Sequence, residues 1–111
     1  MMDPIDDLAR RWRSTQDASS TISLCEALSS SGQIHTTLLQ QVGDFAQVMF
    51  ASNVPVLVAV ARMYLRSHQL AEAQSVLVAA GKIAPRDGHV YRVLGEVLIR
   101  RRWRLALQRS P

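Results

Sequence analysis

Three short segments of this chain repeat one another: Leu-Cys-Glu-Ala-Leu at 24–28, Val-Ala-Arg-Met-Tyr at 60–64 and Leu-Gly-Glu-Val-Leu at 94–98. They stand 36 and 34 residues apart, and each carries a large apolar residue at its first and fifth positions with a smaller one second. Apolar residues four apart lie on one face of a helix. A helix that recurs at a period of roughly 20–50 residues marks a repeat architecture, in which each unit buries its apolar face against its neighbours. The repetition therefore predicts an all-α chain built as a stack of similar antiparallel helical hairpins, a short α-solenoid.

The intervening sequence supplies the rest of such hairpins. A helix over about 4–15 opens with Asp3 as N-cap and Pro4 in its first turn, and sets Ile5, Leu8 and Trp12 on one face. A second covers 18–30 with Ile22, Leu24, Cys25 and Leu28 inward, and Ser29 to Gly32 stop it. Ile34 to Ala51 reads as a third, carrying Leu38, Val42, Phe45, Val48 and Met49. Asn53 caps a fourth helix that has Pro55 in its first turn, where a missing N–H costs little. A fifth spans about 70–83 with Leu70, Ala73, Val76, Leu77 and Ala80 inward, and Pro85 marks its end. Asp87 caps a sixth over Gly88 to Arg101, and a short seventh is expected near 103–109. The loops are two to five residues long, which makes consecutive helices pack antiparallel.

Residues 54–87 resemble a tetratricopeptide unit, the family whose pattern of large apolar, Leu-Gly, Tyr, Ala, Phe and Pro runs over about 34 residues. The slots hold Leu57, Val60, Ala61, Tyr64, Ala73, Leu77, Ala80 and Pro85. Ala61 and Ala73 are small because the two helices of a hairpin cross closely there. The chain divides accordingly into an N-terminal helix (1–16), a degenerate hairpin (18–53), one good unit (54–87) and an incomplete one (88–111). The degenerate hairpin offers Thr37 and Asp44 at the slots of Ala73 and Ala80. In the last unit Tyr91, Leu94, Gly95 and Leu98 match Leu57, Val60, Ala61 and Tyr64, but Trp103 to Pro111 leave little room for a second helix. Val97, Leu98, Leu105 and Leu107 then lack a following hairpin, so either a longer array or another subunit is expected to cover them.

The resemblance implies a protein-binding scaffold. Family members hold partners in the concave groove lined by the first helix of each hairpin, which here selects Val58, Arg62, Leu65 and Arg66, then His89, Arg92, Glu96, Ile99 and Arg100. Partner contacts are expected at Arg62, Leu65, Arg66, His89, Arg92, Glu96 and Arg100, with an acidic or amphipathic peptide as partner. The alternative is that these arginines are solvated and pair with Glu96 and Glu72. The Lys/Asn carboxylate clamp of some family members is not reproduced, since Val58 and Arg62 stand at its slots. A homodimer through the C-terminal end is the second partnership expected.

The charge directs attention to the same end. Of a net +4, residues 86–111 hold seven arginines against Asp87 and Glu96, while 1–85 are nearly balanced. Arg100-Arg101-Arg102-Trp103-Arg104 could bind phosphate and stack a base, making nucleic acid the less favoured alternative partner. No catalytic constellation is found and no enzyme activity is expected. His35, His68 and His89 are scattered, with no metal-ligand spacing, so neither a metal nor another cofactor is called for. The single cysteine, Cys25, shares its slot with Ala61 and Gly95 and reads as a packing residue. One cysteine forms no intrachain disulfide, the acidic start lacks the apolar core of a secretory signal, and the longest apolar stretch is Val54 to Ala61. The expected setting is a cytoplasmic assembly of bacterial type, without a membrane span.

Overall fold

A computed structural model describes residues 4–31 and 35–109, and among them the chain is all-helical. Six α-helices follow one another: α1 (Pro4–Thr15), α2 (Ala18–Ser30), α3 (Thr36–Met49), α4 (Val54–Arg66), α5 (Leu70–Ile83) and α6 (Gly88–Arg109). Their caps explain where they begin. Asp17 Oδ1 accepts the Ser20 N–H at 2.8 Å to open α2, and Asn53 Oδ1 accepts that of Val56 at 3.2 Å to open α4. Asp87 Oδ1 accepts from the backbone of His89 and Val90 at the start of α6. Asp3, Gly32 and Ile34, expected at helix boundaries, lie outside the described residues.

The molecule is a slab 47 × 34 × 19 Å, about two helix layers thick. α4 is its centre and packs on α2, α3, α5 and α6. That is why Val56 to Ala61 and Met63 to Leu65 are all buried, leaving only Arg62 and Arg66 exposed in its last two turns. A helix apolar on every side must be enclosed by others. α5 closes over it with the expected inward set, Leu70, Ala73, Val76, Leu77 and Ala80. Each large aliphatic residue fully buried in this way contributes about 1.5–3 kcal/mol. α1 packs on α2, and its Trp12 meets Phe45 of α3 edge to face, with ring centroids 5.3 Å apart.

Three expectations are corrected. The first concerns α3, which is shorter than 34–51 and turned relative to the expected face. Val48 and Met49 are exposed, as are Thr37 and Asp44, and the buried set is Leu39, Val42, Gly43 and Ala46. These four precede Ala73, Val76, Leu77 and Ala80 by 34 residues, whereas the buried Thr21, Leu24, Cys25 and Leu28 of α2 precede Leu57, Val60, Ala61 and Tyr64 by 36. The α2–α3 loop (31–35) is two residues longer than the α4–α5 loop (67–69), so the register changes inside the hairpin. Gly43 is the small residue where α3 meets α4. A Cβ there would stand 2.6 Å from Cζ of the buried Tyr64, whose ring occupies the space.

The second correction is that α6 does not end at Arg101. It runs 22 residues to Arg109, and no separate seventh helix exists among the described residues. The stretch Arg-Arg-Trp-Arg-Leu-Ala-Leu-Gln contains no Gly, Pro or capping residue to interrupt it, and most of its members are good helix formers. Third, Val97 is fully buried and needs no further hairpin, whereas Leu98, Leu105 and Leu107, with Trp103, are exposed. α6 rests on α5 through Val90, Val93 and Val97, with Leu94 half-buried beside them. No helix among the described residues is long and apolar enough to cross a membrane.

Candidate partner-binding groove

A groove of about 900 Å³ is lined by residues of α2, α4 and α6. Its floor is apolar: Ile22 of α2 with Val58, Ala59 and Leu65 of α4. Val58 and Leu65 are buried, so they form the bed rather than projecting from it. Arg62 and Arg66 rise from α4 in the middle, one turn apart and exposed. Glu26 of α2 stands on one side, and Asp87 and Glu96 with His89 stand on the other.

Five of the seven expected contact residues therefore meet in one place: Arg62, Leu65, Arg66, His89 and Glu96. Arg92 and Arg100 do not line the groove. Arg100 donates to Glu96 Oε1 at 3.2 Å across one turn of α6, the solvated pairing foreseen as the alternative, and an exposed pair of this kind contributes only about 0.3–0.5 kcal/mol. Ile99 is exposed but also lies off the groove.

The sequence reading missed Val54, Pro55, Ala59 and Asp87 of the lining, and all four residues that α2 contributes: Ile22, Glu26, Ser29 and Ser30. The signal for the α2 residues was present, since they stand 36 residues before Val58, Arg62, Leu65 and Arg66. These same four helical positions line the groove twice, from two successive hairpins. Including them changes the electrostatics. Two arginines face three carboxylates across the groove, so its field is mixed rather than uniformly basic, and Arg62 and Arg66 form a positive ridge between two acidic banks.

The other candidate chemistry disperses. Within the Arg100–Arg104 cluster, Arg101 donates to Gln74 Oε1 of α5, and Arg104 donates to the His68 carbonyl at 3.4 Å. These two guanidinium groups thus fasten α6 to α5 and to the α4–α5 turn, while Arg102 and Trp103 face solvent. Cys25 is fully buried, and burial pushes its thiol up to about 12, which leaves it protonated and inert at neutral pH. His68 is exposed in the 67–69 turn. Among the described residues no group of three His, Cys, Asp or Glu side chains could hold a metal ion. Comparison of the chain with family models, with curated proteins and with solved structures gave no match.

Proposed function

We propose that this chain is a non-enzymatic protein-binding module, a short helical-repeat scaffold of tetratricopeptide type that holds an amphipathic segment of a partner across α2, α4 and α6. One observation carries the reading: equivalent positions of successive hairpins, Ile22, Glu26, Ser29 and Ser30 and then Val58, Arg62, Leu65 and Arg66, line a single groove. A bed of apolar side chains between charged banks suits a helix or extended peptide with one apolar face. The mixed charge refines the partner's chemistry. Carboxylates would meet Arg62 and Arg66, and cationic groups would meet Glu26 and Glu96, so alternating charge fits better than a uniformly acidic peptide. The expected setting is cytoplasmic.

A peptide array of amphipathic segments with systematically varied charge tests this reading. Binders should carry both signs, lose binding with Arg62→Glu combined with Arg66→Glu, and shift amide resonances of Ile22, Val58 and Arg62 on titration. Binders that are insensitive to the double reversal and perturb α6 beyond Arg100 instead would refute it. The exposure of Trp103 beside Arg102 favours a second reading, stacking of a single-stranded nucleic acid. Binding of an oligonucleotide that falls steeply with salt and disappears with Trp103→Ala would support that alternative.

A further inference from the structure

The charged side chains that line the groove differ in what already holds them. Glu26 of α2, Arg62 of α4 and Glu96 of α6 stand 36 and 34 residues apart, the spacing of the repeat, and all three are exposed and line the groove. α4 packs on both α2 and α6, so the arginine belongs to the central helix and the two carboxylates to the helices beside it. Among the described residues, Glu26, Arg62 and Arg66 take part in no hydrogen bond or ion pair. The remaining carboxylates are engaged. Asp87 Oδ1 accepts the His89 and Val90 N–H groups at the start of α6. Glu96 Oε1 accepts from Arg100, which lies off the groove, and both members of that pair are partly open to solvent.

We infer that the groove selects its partner by charge order: a carboxylate seated on Arg62, with a cationic group at Glu26 on one side and a second at Glu96 on the other, where Arg100 competes for the place. This inference rests on the reading of the groove as a partner-binding surface and adds the order of charges that the partner must carry. Every other order sets like charges together. A uniformly acidic segment would satisfy Arg62 and Arg66 but press carboxylates against Glu26 and Glu96, and a uniformly basic one would do the reverse. Such juxtapositions exclude wrong partners more strongly than matched pairs attract right ones. The three positions are also unequal. Glu26 and Arg62 give up no contact when a partner arrives, whereas Glu96 must first release Arg100. The cation on the α6 side therefore contributes least, and Arg100 sets how much it contributes. Arg100 is thus a positioning residue that acts through Glu96 without touching the partner. Arg66, one turn from Arg62 and equally unpaired, reinforces the positive centre.

Fluorescence anisotropy of the full chain with four synthetic peptides tests the order. All share one leucine-rich face and differ at three charged positions beside it: Lys-Asp-Lys, Asp-Lys-Asp, three Asp or three Lys. Symmetric orders make the result independent of the direction in which a peptide lies. The Lys-Asp-Lys peptide should bind about tenfold more tightly than Asp-Lys-Asp, and ahead of both uniform peptides. Arg62→Glu with Arg66→Glu should release Lys-Asp-Lys and take up the three-Lys peptide instead, with helicity unchanged. Arg100→Ala should tighten Lys-Asp-Lys by about twofold, because Glu96 is then free. The same change should leave a Lys-Asp-Ala peptide unaffected, since its one lysine sits at Glu26. Arg92→Ala, at an exposed arginine of α6 off the groove, should alter neither. Equal affinity for all four peptides, or first place for three Asp, overturns the charge order but leaves the groove reading standing if the double reversal still abolishes binding. An unchanged affinity in Arg100→Ala overturns the competition at Glu96. Binding of no peptide, or binding indifferent to the double reversal, removes the groove reading and this inference with it.

Discussion

Gly43→Ala separates what helix propensity says from what packing says. In an isolated helix the change stabilises by about 1 kcal/mol, because alanine loses less backbone entropy than glycine. In this fold the new methyl would collide with Tyr64 Oη and stand 2.6 Å from Cζ and 3.3 Å from Cε2, where carbon atoms in contact normally sit about 3.5–4.0 Å apart. The ring and its hydroxyl must retreat by more than about 1 Å to reach ordinary contact, and Tyr64 is only 1% exposed, so it has little room to do so. Overpacking of this kind costs about 1–3 kcal/mol. The retreat also draws Tyr64 Oη from Gln47 Nε2, which donates to it at 3.4 Å, and a lost hydrogen bond adds roughly 0.5–1.5 kcal/mol. Allowing for the propensity gain, the net destabilisation is about 1–3 kcal/mol, read as a lower urea midpoint with an unchanged slope. In a Tyr64→Leu background the same substitution should become neutral or stabilising, so the double-mutant cycle should show strong coupling. A stability gain from Gly43→Ala alone, or an equal effect in both backgrounds, would refute the contact and the register assigned to α3. Gly95→Ala provides the contrast: with nothing near its Cβ it should stabilise the monomer by up to about 1 kcal/mol.

Further outcomes follow from other sites. Burial raises Cys25 from 9.0 to about 12 and, as the largest of several causes, Tyr64 from 10.0 to about 12. Both groups ionise more easily in the unfolded chain, so their contribution is intact below pH 9 and is lost progressively as pH rises from 9 towards 12; alkaline unfolding curves of Cys25→Ala and Tyr64→Phe should fall less steeply there than the wild type. Native Cys25 should resist thiol reagents at neutral pH and react fully in denaturant, and rapid native labelling would contradict its burial. His68 adopts φ 62° at the end of α4, where Gln69 N–H bonds the Tyr64 carbonyl and His68 N–H bonds that of Leu65, a Schellman closure that favours glycine. His68→Gly should therefore raise stability by up to about 1 kcal/mol, and a lower melting temperature would count against that geometry. Asn53→Ala should cost about 1 kcal/mol through loss of the α4 cap, measured by chemical denaturation.

The sequence by itself determined the helices and most of the faces they bury. Spacing of apolar residues, the Asn53 and Asp87 caps, and Pro85 are local signals, and they set α1, α2, α4 and α5 close to the observed limits. The inward set of α5 was legible because one loop length joins it to α4 in the unit with the clearest repeat. What failed did so where a non-local quantity decides. Two extra residues between α2 and α3 shift the register, so Leu39 and Ala46 rather than Thr37 and Asp44 take the slots of Ala73 and Ala80, and only the position of Tyr64 reveals that Gly43 is where α3 meets α4. The groove's mixed charge emerges only when α2, α4 and α6 stand side by side, because Glu26 and Asp87 are remote from Arg62 in the chain. Trp103 and Arg101 are neighbours on one helix with opposite fates, one exposed and one held by Gln74, and the position of α5 decides which is which. Propensity and capping act within a few residues, whereas register, charge balance across a groove and the sidedness of a long helix are properties of packed neighbours.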